Sequence, residues 1–447
     1  MASVAEQIAG SINFGAFSKA TELKKRVWFT LLALIVYRLG TYIPLPGIDP
    51  VVLKDIFSRQ AGGILGMFDM FAGGALSRMT IFALNIMPYI SASIIMQLMT
   101  TVSPQLEALK KEGETGRKKI NQYTRYGTVL ITALQAYGIA VGLEGMTSSA
   151  GSAVIAGGLF FRFTTVVTLV GGTLFLMWLG EQITARGVGN GISLIIFSGI
   201  VANLPTALAS TLELGRTGAL STAFIVFLLL MAVGVIFFIV FVERAQRRIV
   251  VQYPKRQTGN RMYGGEASHL PLKVNTAGVI PPIFASSILL MPITVMGFSA
   301  GQGPEWLTTV TAYLGRGQPL YLAIYISLIV FFAFFYTAVV FNPTETADNL
   351  KKYGGFVPGI RPGKNTAEYL DRVLTRLTVV GAAYLAAVCL LPEILISRFS
   401  VPFYFGGTSL LIVVTVTLDT VAQVQSHLLA HQYEGLIKKS KLRGRRG

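Results

Sequence analysis

Charged side chains are scarce in this sequence. Aspartate, glutamate, lysine and arginine make up 13% of its 447 residues, against ~25% in a typical soluble domain. So few charges could not cover a water-soluble surface. The apolar residues, which make up 52% of the chain, must instead face lipid or pack between helices inside a bilayer. This composition excludes a soluble globular enzyme and indicates a polytopic membrane protein.

Cysteine and histidine are also nearly missing. The single cysteine, Cys389, has no intrachain partner for a disulfide, and three histidines are too few for a His/Cys metal cluster. The motifs HExxH, G-x-S-x-G and GxxxxGK[ST], which carry metalloprotease, hydrolase and NTPase chemistry, do not occur. We therefore predict a protein that is not an enzyme, with no catalytic residues, metal or cofactor. Any transport that it supports must draw its energy from a partner.

Ten apolar runs occupy most of the chain. A membrane-spanning helix needs ~20 mostly apolar residues, whereas a strand of a membrane barrel would show only ~10 residues of alternating polarity. The predicted fold class is therefore an all-α polytopic membrane protein with ten transmembrane helices. The predicted spans are Val27–Ile43, Met79–Thr100, Tyr126–Leu143, Phe163–Leu179, Ile192–Leu208, Leu220–Val242, Ala277–Phe298, Leu320–Phe341, Leu377–Ile396 and Phe403–Val424.

Basic residues are concentrated in alternate connections between these runs. The chain has 38 Lys and Arg against 21 Asp and Glu, a formal net charge of +17. Most of the basic residues fall at the two termini and in the connections that follow even-numbered spans. Cytoplasmic connections of membrane proteins are enriched in Lys and Arg, so both termini and these connections are predicted to be cytoplasmic.

The predicted spans contain few ionisable side chains. Proton- or ion-coupled carriers place carboxylates or histidines at mid-membrane, because an ionisable group there is costly and is kept for function. Here the spans offer only Asp419, near the cytoplasmic end of the tenth, and Arg38, which could snorkel from the outer end of the first. This pattern argues against proton coupling.

The ten spans divide at the connection after the fifth into two halves of five. Because five is an odd number, the second half must enter the membrane in the opposite orientation to the first. This arithmetic predicts an inverted repeat with a pathway at the interface between the halves. The alternative is ten unrelated helices, since the halves share no clear sequence identity. The predicted domains are an N-terminal half (1–208), a C-terminal half (209–427) and a basic cytoplasmic tail (428–447).

A glycine-rich segment precedes the second span. The apolar stretch over 61–100 is about twice as long as one span needs. Its first part, at about 62–76, carries Asp69, is interrupted by glycines and is too short to cross the bilayer. Irregular backbone at membrane depth is tolerated only where protein or a water-filled cavity shields it. We predict a short re-entrant helix in the pathway, with an amphipathic helix on the outer surface as the alternative.

Two cytoplasmic loops are long and basic. The first, 243–273, mixes β-prone residues with a turn at Gln257–Asn260, which predicts a projecting hairpin. The second, 342–368, presents Arg361 on a tip that Pro358 and Pro362 stiffen. Basic residues interleaved with aromatics suit RNA or an acidic protein surface. An orientation signal with attraction to anionic lipids is the alternative, and it is the favoured interpretation for the C-terminal tail.

Several long segments carry a family resemblance. They are YIPLPGID, MFDMFAGGALSRMTIFALNIMPYISASIIMQL, KKEGETGRKKINQYTRYGT, MWLGEQITARGVGNGIS, FVERAQRRIVVQYPKRQ, FNPTETADNLKKYGGFVPGIRPG and VPFYFGGTSLLI. Together they resemble the SecY/Sec61 alpha family of protein-translocation channels. The resemblance covers nearly the whole chain and departs mainly in the outer loops around 147–158 and 302–318.

The resemblance implies the central pore-forming subunit of a Sec translocon in the bacterial plasma (inner) membrane. Such a subunit is a gated channel that passes unfolded secretory polypeptides and releases transmembrane segments laterally into the membrane, through a gate between the second and seventh spans. The implied partners are SecE, SecG, the SecA motor ATPase, the ribosome with its RNA, signal peptides, nascent chains and membrane lipids, including anionic lipids. A small-solute secondary carrier and a membrane scaffold or receptor remain as alternative functions.

Site residues also follow from the resemblance, position by position. The spacing of Ile86 and Ile90, and of Ile192 and Ile196, puts each pair on one helix face, but isoleucine is too common in membrane helices for spacing alone to single them out. The implied pore ring is Ile86, Ile90, Ile192, Ile196, Ile283 and Ile412. The implied plug is Gly62, Gly63, Ile64, Leu65, Gly66, Met67, Phe68, Asp69, Met70, Phe71, Ala72, Gly73 and Gly74. The implied partner-binding residues are Arg247, Arg248, Lys255, Arg256, Arg261 and Arg361.

Overall fold

The computed structural model describes residues 20–60, 69, 72–148, 151–218, 221–253, 256–258, 261–263, 267–297, 318–399 and 407–443. Most of these residues are helical. The helices are α1 (Thr21–Gly40), α2 (Pro50–Gln60), α3 (Met87–Val102), α4 (Pro104–Lys111), α5 (Glu114–Gly145), α6 (Leu159–Arg186), α7 (Gly191–Arg216), α8 (Thr222–Arg244), α9 (Ile280–Gly297), α10 (Pro319–Val340), α11 (Pro343–Lys352), α12 (Lys364–Phe399) and α13 (Gly407–Arg443).

Short strands within the described residues form antiparallel two-stranded sheets. Strands β3 and β6 pair along their whole length, and β4 pairs with β5 in the loop between them. The hairpin predicted for 243–273 is thereby confirmed. The strands are β1 (Thr147–Ser148), β2 (Gly151–Ser152), β3 (Gln246–Gln252), β4 (Arg256–Thr258), β5 (Arg261–Tyr263) and β6 (Ala267–Lys273).

Each of the ten predicted spans overlaps a helix. Three of these helices fall short of the length and hydropathy that a span needs by itself. The first, α1, carries basic residues near both ends, and α3 and the apolar part of α9 are short. The other seven are long and apolar enough to cross a membrane by themselves, so the chain is a multi-pass helical membrane protein, consistent with ten spans. The seven stretches are Glu114–Gly145, Leu159–Arg186, Gly191–Arg216, Thr222–Arg244, Pro319–Lys352, Lys364–Pro392 and Thr408–Ala430.

The second predicted span, Met79–Thr100, is wrong at its beginning. Residues 72–86, termed the turn segment below, form consecutive turns, and α3 begins only at Met87. Within the turn segment, Met79 and Asn85 have φ values of 43° and 49°. These are left-handed conformations, which a right-handed helix of L-residues cannot continue through. Apolar composition alone could not reveal this break.

The chain divides into two compact units. The first comprises Met1–Ala209, Leu290–Ala312 and Val416–Gly447, and the second comprises Ser210–Leu289 and Tyr313–Thr415. In the first unit α5 packs against α3 and α6, and α6 packs against α1. In the second unit α12 packs against α10 and α11, while β3 pairs with β6.

The turn segment is buried inside the first unit. The Phe82 ring lies between the rings of Tyr37 on α1 and Phe175 on α6, with centroid separations of 6.2 and 5.9 Å. The backbone N–H of Ile81 donates to the carbonyl oxygen of Ile43 at 3.0 Å. Buried backbone groups need such partners, so this irregular stretch can lie among membrane helices.

Gly172 of α6 allows the close approach of the turn segment. A Cβ atom at Gly172 would stand 2.0 Å from the carbonyl oxygen of Ile81, whereas nothing lies within 4 Å of a Cβ at Gly171. We expect Gly172→Ala to destabilise the protein by about 1–3 kcal/mol because the obstacle is backbone. Gly171→Ala should be neutral or slightly stabilising, since alanine favours helix. Thermal unfolding in detergent compares the two variants, and equal stability would contradict this contact.

Candidate functional site

Four of the six ring isoleucines belong to the first unit. Ile86 directly precedes α3, and its carbonyl oxygen accepts a hydrogen bond from the N–H of Ile90 at 3.1 Å. Ile192 and Ile196 lie in the first two turns of α7, where the side chain of Asn190 accepts from the N–H of Ile192 at 3.1 Å. Ile86, Ile90 and Ile196 are buried, and Ile192 is half-buried. Ile90 therefore lies one helical turn after Ile86, and Ile196 lies one turn after Ile192.

The other two ring isoleucines belong to the second unit. Ile283 lies in the first turn of α9, directly after Pro281 and Pro282, and is half-buried. Ile412 lies in the second turn of α13 and is fully buried. All six residues therefore lie in the first two turns of a helix or directly before one. Their convergence into one ring stays a prediction.

Most of the predicted plug lies outside the described residues. Asp69, Ala72, Gly73 and Gly74 are described, and all four are held by the first unit. The carboxylate of Asp69 accepts from the backbone N–H of Ser77 at 2.8 Å, and its carbonyl oxygen accepts from Gly74 at 2.9 Å. The plug residues outside the described part are Gly62, Gly63, Ile64, Leu65, Gly66, Met67, Phe68, Met70 and Phe71.

Two arginines hold the backbone of the glycine pair. Arg38 Nη1 donates to the carbonyl oxygen of Gly73 at 3.0 Å, and Arg78 Nε donates to that of Gly74 at 2.8 Å. The guanidinium of Arg78 also lies over the Tyr42 ring, 4.2 Å from its centroid. Arg38 therefore binds the backbone of Gly73, a contact beyond the snorkelling that the sequence suggested.

The predicted partner-binding residues are divided between the hairpin and the second of the two loops that were predicted to be cytoplasmic. Arg247 and Arg248 lie on β3 and are exposed. Arg256 and Arg261 lie on the paired strands β4 and β5, and Lys255 lies outside the described residues. These four arginines are therefore divided between two antiparallel two-stranded sheets of the first loop, β3–β6 and β4–β5.

The second loop is joined to the hairpin by hydrogen bonds and a small apolar core. Gln252 at the end of β3 and Phe356 exchange two backbone hydrogen bonds, at 2.9 and 3.0 Å. Arg361 is exposed, and its carbonyl oxygen accepts from the hydroxyl of Thr366 at 2.9 Å. The two loops are therefore one folded body that presents basic residues from both. The buried residues of its core are Ile249, Leu272, Val357 and Leu370.

Among the described residues, no cluster of three or more His, Cys, Asp or Glu side chains could hold a metal ion. Two of the ion pairs among the described residues connect one helix to another. Arg125 on α5 makes a bidentate ion pair with Glu181 on α6, with a shortest N–O distance of 2.7 Å. Arg162 on α6 pairs with Glu144 on α5 at 2.6 Å. These pairs fix α5 against α6 near both of their packed ends.

Comparisons of the sequence and of the fold with known proteins find similarity to the same family. The sequence pattern that defines the SecY family matches residues 80–421. The chain is 59% identical to the protein translocase subunit SecY of Escherichia coli strain K12 over 424 residues, which are 95% of this chain and 96% of that protein. Its fold is similar to a solved SecY structure, described as one in which the plug domain stabilises the closed state of the translocation channel and maintains a membrane seal. The TM-score is 0.65 at 17% identity, covering 91% of this chain and 92% of that one.

A second solved structure with a similar fold is Sec61 in the canine ribosome–channel complex from the endoplasmic reticulum. The TM-score is 0.61 at 17% identity, and the match covers 91% of this chain and 92% of that one. At this level of identity, the two structural matches establish the fold, while the sequence match to the Escherichia coli protein carries the relationship.

Proposed function

The chain belongs to the SecY family, and from that premise we propose that it is the central pore-forming subunit of a Sec translocon. It is a gated protein-conducting channel that passes unfolded secretory polypeptides across a membrane and releases transmembrane segments laterally into it. The observation that carries this function is the 59% identity to a protein translocase subunit over 95% of the chain. The channel is driven by partners and is not an enzyme.

The six isoleucines form the constriction of the pathway in this proposal. An apolar ring holds no hydrogen-bonding partner for hydrated ions, so it sheds water when empty and can close around an extended polypeptide. Support comes from the backbone positions that they share, in the first two turns of a helix or directly before one. The second and seventh spans, here α3 and α9, form the lateral gate.

Residues 62–74 form the plug of the closed channel in this proposal. Its support is the hydrogen bonding at the C-terminal end of the segment, where Arg38 and Arg78 hold the carbonyl oxygens of Gly73 and Gly74. Both hydrogen bonds come from charged guanidinium groups, and such charge-assisted bonds are stronger than neutral ones. They would keep this end of the plug in place while the residues before it leave the pathway.

Deleting residues 62–71 should raise the resting ion conductance of the channel, because a dewetted ring alone is a thinner barrier than a ring with a plug. Planar-bilayer recording of the reconstituted complex measures this conductance. A variant with a Gly-Ser linker of equal length in place of 62–71 controls for the shortened chain. Wild-type conductance in both variants would favour the amphipathic surface helix.

The partners follow from the charge of the cytoplasmic body. Arg247, Arg248 and Arg361 are exposed, and Arg256 and Arg261 lie on β4 and β5. Arginines in this number suit ribosomal RNA and acidic surfaces of the SecA motor. Sec61 in the canine complex is bound to a ribosome, and we infer ribosome binding for this chain too. Lys255 completes the inferred contact residues. SecE, SecG, signal peptides and anionic lipids complete the inferred partners. We place the protein in the bacterial plasma membrane with both termini in the cytoplasm.

Reconstitution tests this function against its alternatives. The purified complex with SecE and SecG, in proteoliposomes with SecA, ATP and a secretory precursor, should protect the precursor from added protease. Saturable uptake of a small solute by the purified chain alone would instead support a secondary carrier. A membrane scaffold would give neither precursor protection nor any ion conductance.

A further inference from the structure

Three polar side chains form a joint in the second unit, where α8, the linker between β6 and α9, and α12 meet. The side-chain amide of Asn275 donates to Glu243 Oε1 at 2.7 Å and to the carbonyl oxygen of Gly278 at 3.1 Å. Its Oδ1 accepts from the N–H of Gly278 at 3.1 Å. The hydroxyl of Tyr384 donates to the same Glu243 Oε1 at 3.4 Å. These residues are termed the Glu243–Asn275–Tyr384 joint.

The joint is tightly packed as well as hydrogen-bonded. Asn275 and Tyr384 are 4% and 6% exposed. One turn before Tyr384, a Cβ atom at Gly381 would stand 2.9 Å from the carbonyl oxygen of Val274, so the backbone of α12 lies directly on the linker. Buried polar groups that lose a partner are costly, and close-packed elements transmit displacement instead of absorbing it.

The joint lies between two functional parts of the chain. On its cytoplasmic side, Val274 donates a backbone hydrogen bond to Ala245 at 3.1 Å, which closes the base of the β3–β6 hairpin. On its other side, the linker continues after Gly278 into α9, whose first turn carries Ile283. Asn275 and its partners therefore lie on the chain path that leads from the hairpin to α9.

We propose that the Glu243–Asn275–Tyr384 joint transmits partner binding at the basic cytoplasmic body to α9. Its members are positioning residues, which act on the helix that carries Ile283 without touching the partner or the moving chain. The inference rests on the proposed function, because it assigns the coupling step of that channel. A purely structural joint would change only the amount of folded protein, and a binding residue would change partner affinity.

Asn275→Asp tests the joint with little change in volume. It puts a second carboxylate against Glu243 and removes the hydrogen bond between the two side chains. The linker should then no longer hold α9 in a fixed position relative to the hairpin. We expect the Kd of SecA for the reconstituted complex to change less than about twofold, while the precursor translocation rate at saturating SecA falls about fivefold or more. Glu243→Gln should behave like wild type, because an amide oxygen still accepts from Asn275. The double variant Glu243→Gln/Asn275→Asp should recover most of the rate, since the Gln amide can donate to the Asp.

Thr276→Ala is the matched control, since the Thr276 hydroxyl donates to the carbonyl oxygen of Lys273 in the same linker. Three results would overturn the coupling role: a wild-type rate for Asn275→Asp, a loss explained by weaker SecA binding, or no recovery in the double variant. If Asn275→Asp does not accumulate, Tyr384→Phe provides a second test, because it removes only the hydroxyl that bonds to Glu243. A normal translocation rate in Tyr384→Phe would count against the joint. A wild-type complex that translocates nothing would instead refute the proposed channel function.

Discussion

A variant with Ile86, Ile90 and Ile196 replaced by asparagine should conduct ions at rest. Amide side chains would hold water in the constriction, so the barrier that excludes hydrated ions would be lost. We expect a rise in resting conductance of about tenfold or more over wild type in planar bilayers. Protein passage should fall less, because an extended polypeptide still fits the opening.

The control for this ring is Ile86→Leu, which keeps volume and apolar character and should leave the conductance low. A packing role for the same residues predicts the reverse order, because Ile86 and Ile90 are buried and polar groups there would reduce the folded yield without a leak. Membrane-inserted protein is therefore quantified beside single-channel leak. Asparagine variants that insert normally and stay tight to ions would eliminate the ring.

Arg361→Glu should reduce SecA-driven translocation by about tenfold or more, with similar amounts of inserted protein. A charge reversal on a fixed contact is repulsive, and each ~1.4 kcal/mol of lost binding is tenfold in affinity. The tip is fixed, since the carbonyl oxygen of Arg361 is held by Thr366, and Gly359 and Gly363 have φ values of 82° and 105°. Its exposed side chain adds little to the stability of the core.

Lys119→Glu supplies the matched control for Arg361, because it makes the same charge change at an exposed position near the N-terminal end of α5, which is predicted to be cytoplasmic. It should translocate at nearly the wild-type rate. Arg361→Lys separates charge from geometry, since lysine keeps the charge but loses the planar fork that grips phosphate or carboxylate. If all three variants export equally well, Arg361 is not a partner contact.

Hydropathy and charge predicted the parts of the fold that depend on local composition. The ten apolar runs overlap helices because each run is long enough to need internal hydrogen bonding in lipid. The hairpin at 243–273 was predictable because β-prone residues flank a turn. The helix start at Met79 was wrong, since left-handed conformations at Met79 and Asn85 depend on tertiary packing and leave no mark on hydropathy.

Less of the candidate site than of the fold could be predicted from the sequence. Ile86 and the other ring residues were identified by resemblance, because isoleucine carries no chemistry that marks it out. Arg78 was missed, although an arginine beside the Gly73–Gly74 pair was the available signal. The joint was also missed: Asn275 meets Glu243 and Tyr384 from distant positions in the chain, and single-sequence periodicity cannot report such contacts.

The short α3 has a consequence for how the bilayer surrounds it. Its 16 residues span about 24 Å at 1.5 Å per residue, less than the ~30 Å thickness of the hydrocarbon. The turn segment directly before α3 is packed against α1 and α6, which shields a polar backbone that would be costly in lipid. The shortfall in the length of α3 is therefore met by backbone that is buried in protein. Any sideways displacement of α3 would leave this buried segment in place, so the helix would hinge at Ile86, directly before its first residue.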